Sequence, residues 1–239
     1  MVDEQRPGPV ALVGSGEYLE HMMPLEAQLI KGRPLRYVQL ATASVPDGPE
    51  VVARWHHLGH EQAIRMSVEQ VVVPVVSRDD ANSPALASLV EGAGLIYLSG
   101  GHPTFLAETL RETAVWSAIE KAWRSGAALA GCSAGAMALT SWVPSLRHPL
   151  GGGTAGLGLI ADLRVIPHFD AFASRMPDAI TRFLVSDSSN ATLLGIDEDT
   201  AIVGGLEEWT VWGRQSAWRL HDGRREELTA GTTFRTTAN

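Results

Sequence analysis

The strongest chemical pattern in the sequence is a G-x-S-x-G motif at residues 131–135, with Ser133 at its centre. The motif follows the apolar segment 127–132 and precedes a segment with helical character, which is the strand–turn–helix context of a nucleophilic serine. Small flanking residues permit a tight turn that exposes the hydroxyl near the N–H groups at the start of the next helix. The pattern predicts that Ser133 is a nucleophile. A glycine-rich packing turn or phosphate-binding turn is the alternative.

Cys132, the only cysteine of the chain, is the neighbouring rival for the nucleophile. It occupies the flanking position of the motif, where its side chain is expected to point away from the apex of the turn. A free cysteine in an apolar segment usually behaves as a small buried hydrophobe, and we predict that role here. A single cysteine also excludes an intramolecular disulfide framework.

A serine nucleophile needs a base, and His168 has the most suitable setting among the eight histidines. It follows a β-branched segment that ends at Ile166, and the carboxyl ends of strands in open α/β sheets are where catalytic groups gather. A structural or surface histidine is the alternative. The denser group of His56, His57 and His60 has the i, i+4 spacing of a metal pair, but no third ligand follows at a convincing spacing. We therefore predict no metal site.

Backbone N–H donors for an oxyanion are expected from Gly101 and Ala134. Gly101 directly follows the segment 94–100 and opens a helix, and Ala134 directly follows the predicted nucleophile. These are the two positions that supply an oxyanion hole in a strand–turn–helix site. A plain strand-to-helix turn is the alternative for the glycine pair.

The glycine pair around Ser15 resembles part of a dinucleotide-binding turn but is incomplete. The third glycine is missing, and the next strand ends at Thr42 without the expected acidic residue. We therefore predict no cofactor. Glu17 follows this turn at the same sheet edge as Ser133, either in the site or as the acidic start of the next helix.

Five apolar segments alternate with four helical ones, and these elements position the candidate site residues. The segments are apolar on both faces, as a sheet covered by helices requires. This order predicts a doubly wound, mostly parallel α/β sheet within a single domain over residues 1–239. The predicted strands are residues 9–14, 35–42, 70–76, 94–100 and 127–132. The predicted helices are residues 20–31, 49–66, 83–91 and 104–124, the last with a break near Thr113.

The last third of the chain is patterned differently. Short strands separated by turn residues predict antiparallel hairpins that close one edge of the sheet. These strands are residues 192–197, 200–205, 208–213 and 216–223. The glycine-rich segment 144–158 is predicted to be a long mobile loop, and such loops are often functional.

Composition restricts the partners. The 239 residues carry 19 Lys+Arg and 27 Asp+Glu, a net charge of −8, which disfavours nucleic acids and anionic membrane surfaces. No apolar stretch reaches the roughly 18–20 residues of a membrane span, and the polar N-terminus does not resemble a signal peptide. We expect a cytoplasmic protein that acts on a small molecule. The sequence leaves the oligomeric state open, with a homodimer among the options.

Four features in order resemble the S51 peptidases, the dipeptidase E and cyanophycinase group of the class I glutamine amidotransferase-like fold. They are Gly100–Gly101 opening a helix, the motif at 131–135, Pro167-His168-Phe169, and the segment 195–201. The resemblance runs from the first strand to about Val203. It implies a flavodoxin-like sheet, Ser133 as nucleophile, His168 as base, and Gly101 with Ala134 as the oxyanion hole. It also implies hydrolysis of cyanophycin or of short peptides with an aspartyl residue on the acyl side.

The chain departs from that family pattern at the orienting acid. The resemblance places an acid between the nucleophile and the histidine, yet residues 137–161 contain no Asp or Glu. Glu17, Asp170 and Glu198 are the substitutes. We assign Glu17 to the catalytic group and Glu198 to substrate binding.

Two basic residues complete the substrate-binding prediction. His102 stands where the family often has an acidic or amide residue, which indicates an altered substrate preference. Arg175 follows the histidine and is suited to a substrate carboxylate, with a surface ion pair as the alternative.

The sequence therefore predicts a cofactor-free serine hydrolase that cleaves a small peptide or amide through an acyl-enzyme. A non-catalytic member of the fold that binds a small molecule in the same crevice is the alternative. An amidotransferase-like amidase is disfavoured because the nucleophile position holds serine rather than cysteine.

Overall fold

A sheet of eight strands forms the centre of the protein, in a computed structural model that describes residues 6–144, 152–173, 191–205, 207–221 and 224–236. Five neighbouring strands are parallel, in the order β1-β5-β4-β2-β3. They are β1 (Val10–Val13), β2 (Arg36–Leu40), β3 (Glu69–Val72), β4 (Leu95–Leu98) and β5 (Ala128–Cys132). β1, β4 and β5 are buried along their whole length, so the predicted parallel α/β sheet is confirmed.

Helices cover both faces of this sheet. Alternate strand residues point to opposite faces, and each set packs in its own hydrophobic cluster. The first two helices pack on one face, and most of the others lie on the opposite face. The helices are α1 (Met23–Ile30), α2 (Pro49–Met66), α3 (Arg78–Ala81), α4 (Pro84–Ser88), α5 (Pro103–Leu110), α6 (Ala114–Arg124), α7 (Ala134–Leu139) and α8 (Phe169–Ala173). Short 3-10 helices lie at Glu20–Met22 and Thr42–Asp47. In the described part of the chain, no helix is long and apolar enough to cross a membrane.

The helix predicted over residues 49–66 has those bounds in the structure. The longer prediction over 104–124 is divided, as expected near Thr113, into α5 and α6. Thr113 caps α6, because its hydroxyl accepts a hydrogen bond from the Trp116 N–H at 3.4 Å. The predicted break is therefore a capped helix start.

Three antiparallel strands extend the large sheet beyond β1. They are β10 (Thr200–Gly205), β11 (Glu208–Gly213) and β14 (Thr233–Arg235). The prediction that C-terminal hairpins close this edge is confirmed for residues 200–205 and 208–213.

The prediction is wrong for the other two C-terminal segments, which belong to a second, four-stranded sheet. Its order is β13-β12-β9-β8, and only β8 and β9 run parallel. These strands are β8 (Leu163–Ile166), β9 (Thr192–Ile196), β12 (Ala217–His221) and β13 (Arg224–Leu228). The chain changes sheet at residues 197–199, between β9 and β10. Local patterning could not distinguish the two sheets, because it specifies a strand but not its partner.

Residues 144 and 153–155 of the glycine-rich segment lie in paired strands and not in the predicted loop. β6 (Trp142–Pro144) pairs antiparallel with β7 (Gly153–Ala155). The intervening residues 145–151 lie outside the described residues.

Candidate active site

Ser133, His168 and Glu198 meet at the carboxyl edge of the parallel strands. Cys132 and Ala201 both pair with Val13 of β1, so the residue after β5 and the turn before β10 lie at the same edge. The segment after β8 brings His168 to this edge from the second sheet. The site therefore joins the two sheets.

Backbone packing fixes Ser133 in an unusual conformation, with φ 49° and ψ −106°. Its N–H donates to the carbonyl oxygen of Val13 at 2.8 Å. A Cβ atom at Gly135 would lie 2.3 Å from the Leu98 carbonyl oxygen, and one at Gly131 would lie 2.6 Å from the Gly135 backbone. Both glycines of the motif are therefore required by close backbone contacts, and they hold the serine in the strained turn that was predicted.

His168 connects Ser133 to Glu198. Its Nε2 lies 3.1 Å from Ser133 Oγ, and its Nδ1 lies 2.8 Å from Glu198 Oε1. An ionised carboxylate only accepts hydrogen bonds, so Nδ1 carries the proton and donates to Glu198. In the neutral imidazole, Nε2 is then the lone-pair nitrogen that accepts from the Ser133 hydroxyl. This arrangement has the geometry that a serine nucleophile with an oriented base would require.

The Glu198 backbone is held by side chains around it. Its N–H donates to Asp170 Oδ1 at 3.0 Å, and its carbonyl oxygen accepts from the Thr200 hydroxyl and the Gln215 amide, both at 3.1 Å. The Gln215 amide also donates to Asp170 Oδ2 at 3.2 Å. Partial burial raises the pKa of Asp170, but backbone N–H donors, with that of Glu198 first, and the Gln215 amide outweigh it and leave the pKa below its ordinary value. Asp170 is thus a carboxylate that fixes the turn carrying Glu198.

Glu17 occupies a different place from the one its catalytic assignment requires. Its Oε1 accepts the N–H of Gly100 at 3.0 Å, and its Oε2 accepts the thiol of Cys132 at 2.8 Å. The structure brings Glu198, which we had assigned to substrate binding, against His168 instead. The reason is topological: Glu17 follows β1 inside the parallel sheet, whereas His168 and Glu198 both follow strands of the second sheet. The acid also comes after the histidine in the chain, not before it.

Cys132 is fully buried next to Ser133. Burial, followed by the negative charge of Glu17, raises the pKa of its thiol well above the ordinary value. The side chain is therefore a neutral thiol that donates to Glu17, a buried role as predicted, although with a polar partner.

The two predicted oxyanion donors flank Ser133. A Cβ atom at Gly100 would lie 3.5 Å from Ser133 Cβ, so the turn after β4 adjoins the nucleophile. Gly101 has φ 138°, and Ala134 is the first residue of α7. Within the described residues, neither backbone N–H has a hydrogen-bond partner. Both groups are therefore free to donate to a ligand.

The other predicted residues lie farther out. His102 Nε2 contacts Asp47 Oδ1 at 2.8 Å, and both side chains are partly exposed beside the Gly101 turn. Arg175 lies outside the described residues. On α2, His57 contacts Glu61 at 3.4 Å and His60 contacts Gln70 at 3.2 Å. Over the described ranges, no three His, Cys, Asp or Glu side chains form a group that could hold a metal ion.

Sequence reasoning missed Ser44, which is buried in the turn after β2. Its hydroxyl donates to the carbonyl oxygen of Gly100 at 2.8 Å. No motif surrounds this serine. Its position just after a parallel strand that ends at the same edge was the only available indication.

Comparisons with known proteins identify the family of the chain. The family model for peptidase family S51 matches residues 10–209. A crystal structure of a peptidase from an acI-B1 actinobacterium is similar, with 38% sequence identity, a TM-score of 0.90, and coverage of 97% of this chain and 98% of that one. A protein assigned to peptidase E from Listeria monocytogenes EGD-e shares the fold at 16% identity, with a TM-score of 0.61 and coverage of 87% and 100%. A search of curated protein sequences finds no match. Since the family model covers well over half of the chain, the protein belongs to peptidase family S51.

Proposed function

We propose that this protein is a serine peptidase that cleaves a short peptide through an acyl-enzyme on Ser133. One observation carries the proposal: the continuous contact from Ser133 Oγ through His168 to Glu198, with distances of 3.1 Å and 2.8 Å. Membership of a peptidase family and a peptidase neighbour at 38% identity support the same reaction class.

In the proposed reaction, Ser133 Oγ attacks the carbonyl carbon of the scissile peptide bond while His168 Nε2 takes its proton. Glu198 stabilises the imidazolium that forms. The N–H groups of Gly101 and Ala134 donate to the oxygen that becomes negative in the tetrahedral intermediate. His168 then protonates the leaving amine as the C–N bond breaks. Water, deprotonated by the same nitrogen, hydrolyses the ester and regenerates the serine.

The proposed substrate class follows the family resemblance, but His102 departs from the family pattern next to the site. The resemblance implies peptides with an aspartyl residue on the acyl side. His102, at the position where the family often has an acidic or amide residue, is paired with Asp47 beside the oxyanion turn. We therefore place short aspartyl peptides first among the substrates to test, within a library that varies both sides of the bond.

A fluorophosphonate probe tests the nucleophile. Ser133 Oγ attacks the phosphorus atom of the probe and forms a P–O bond, fluoride leaves, and the hydroxyl proton passes to His168. We expect the wild type to be labelled at Ser133 and the Ser133→Ala variant to be unlabelled. Ser88→Ala is the matched control, because Ser88 is an exposed serine of α4 whose hydroxyl donates to the Ala85 carbonyl.

Two results would contradict the proposal. Labelling that persists in Ser133→Ala would show that the nucleophile is another residue. A folded wild type that is neither labelled nor able to cleave any member of the peptide library would exclude the peptidase function.

A further inference from the structure

We propose that Ser44 and Glu17 are positioning residues that hold the two peptide groups of Gly100, so that the N–H of Gly101 points to the oxyanion. The inference rests on the proposed function, because it concerns the same tetrahedral intermediate. Neither residue touches the reacting atoms, and each acts through the backbone of the Gly100–Gly101 turn.

Ser44 acts on the peptide group that contains the donor. Its buried hydroxyl donates to the Gly100 carbonyl oxygen at 2.8 Å. That carbonyl and the N–H of Gly101 belong to one peptide group, which is trans like the others described. In a planar trans peptide the N–H and C=O bonds point in opposite directions. Fixing the carbonyl on Ser44 therefore fixes the direction of the Gly101 N–H.

Glu17 acts on the preceding peptide group. Its Oε1 accepts the Gly100 N–H at 3.0 Å, while its Oε2 accepts the thiol of Cys132 at 2.8 Å. Cys132 is the last residue of β5 and directly precedes Ser133. The carboxylate thus ties the turn that supplies the N–H donor to the strand that supplies the nucleophile.

Two consecutive glycines make such restraints necessary. Glycine reaches many backbone conformations, so a Gly–Gly turn has no intrinsic preference for one N–H direction. Here Gly101 has φ 138° and packs so closely on Ala43 that a Cβ atom would lie 2.4 Å from the Ala43 carbonyl oxygen. That oxygen also accepts the N–H of His102 at 2.7 Å. The turn after β2 therefore restrains residues 100–102 at three consecutive points.

The test compares phosphonylation of Ser133 with a reaction that needs no oxyanion donor. The fluorophosphonate reports the first reaction. Diethyl pyrocarbonate, which acylates the His168 imidazole directly, reports the second, with the modified site quantified by mass spectrometry. Thermal unfolding of each variant monitors the fold.

For Ser44→Ala we expect phosphonylation to slow by about 10–100-fold, somewhat less than removal of an oxyanion donor outright. Acylation of His168 and the pH midpoint of labelling should stay unchanged, because the His168–Glu198 contact is untouched. Ser44→Thr, which keeps the hydroxyl, should restore most of the rate. Ser117→Ala is the matched control, since that hydroxyl also donates to a backbone carbonyl, on α6.

A pair of variants tests Glu17 in the same assays. Glu17→Leu removes the acceptor for the Gly100 N–H and should slow phosphonylation to a similar extent as Ser44→Ala. Glu17→Gln keeps an acceptor oxygen and should lose less than about tenfold.

Wild-type rates in Ser44→Ala and Glu17→Leu would overturn this inference and leave the proposed function standing. So would a parallel loss of phosphonylation, His168 acylation and thermal stability, which indicates a general structural role. A folded wild type that is neither labelled at Ser133 nor able to cleave any member of the peptide library would overturn both proposals.

Discussion

Ser133 and the Gly100–Gly101 turn lie on the parallel sheet, whereas His168 and Glu198 follow strands of the second sheet. On the first side, position is set by backbone contacts that leave no room for a Cβ atom at Gly131 or Gly135. On the second side, the His168 and Glu198 side chains are 41% and 44% exposed. There, position is set by hydrogen bonds.

Two carboxyl groups show how much the environments differ. Burial raises the pKa of Glu26, which lies under the parallel sheet, to about 7. At the second sheet, hydrogen bonds to Asp170 outweigh its partial burial and lower the pKa. We infer that the position of Ser133 depends on close-packed backbone from which water is excluded. The position of His168 depends instead on hydrogen bonds that water can reach. Substitutions on the second-sheet side should therefore lower activity with little change in stability, whereas substitutions in the close-packed turn should lower stability.

The largest expected effect is on catalysis, from Glu198→Gln. The amide cannot hold the imidazole in the required tautomer or stabilise its charged form, so phosphonylation of Ser133 should slow by about 10³–10⁴-fold, or roughly 4–5 kcal/mol in the activation barrier. Stability should change little, because the side chain is 44% exposed. Labelling kinetics and thermal unfolding measure the two properties.

Glu17→Gln is the comparison for that variant, since it makes the same chemical change in the other carboxylate near Ser133. Its phosphonylation rate should fall by less than about tenfold, because the Gly100 N–H keeps an acceptor. The reverse order of effects would assign the orienting role to Glu17, as the sequence alone suggested.

On the parallel-sheet side, Gly135→Ala should damage the fold itself. The new methyl group would lie 2.3 Å from the Leu98 carbonyl oxygen, a backbone atom that cannot rotate away. We expect the free energy of unfolding to fall by about 3–5 kcal/mol and the melting temperature by roughly 6–20 °C. Urea denaturation measures the first quantity. Phosphonylation should be lost with the turn geometry.

Gly205→Ala is the control for Gly135→Ala, because a Cβ atom there meets no atom of the described residues within 4 Å. Its stability should stay within about 1 kcal/mol of the wild type. If Gly135→Ala were equally well tolerated, close packing would not be what fixes Ser133.

The sequence predicted the parallel sheet and the turn at Ser133 well, because both are determined by residues that are close together in the chain. Buried strands appear as continuous apolar segments, and the glycines on either side of Ser133 predict a tight turn. The prediction for His168 also used local information, its position after a strand. Glu198 was assigned to substrate binding because no local pattern reveals that β9 joins β8 in a second sheet. Ser44 was missed for the same reason: its partner, the Gly100 carbonyl, is set by strand order rather than by neighbouring residues.

Apart from the comparison and control variants, the smallest effect should come from Glu26→Gln, which tests how far water is excluded from the parallel side. Between about pH 4.5 and 7 the unfolded chain ionises this carboxyl group, while the folded chain keeps it protonated. Its contribution to stability is therefore complete below about pH 4.5 and declines as the pH rises towards 7. Glutamine carries no such proton, so the stability of the variant relative to the wild type should increase with rising pH, by up to about 3–4 kcal/mol.

Urea denaturation of both proteins at about pH 5 and about pH 8 measures this gain, with the exposed Glu91→Gln as a control for the loss of one negative charge. Glu26 also accepts a hydrogen bond from the Gln62 amide at 3.1 Å, and glutamine keeps an acceptor for it. A pH-dependent gain would therefore report the burial of the carboxyl group rather than a lost contact. An equal stability difference at both pH values would mean that water reaches Glu26, and the contrast between the two sides of the site would lose its electrostatic basis.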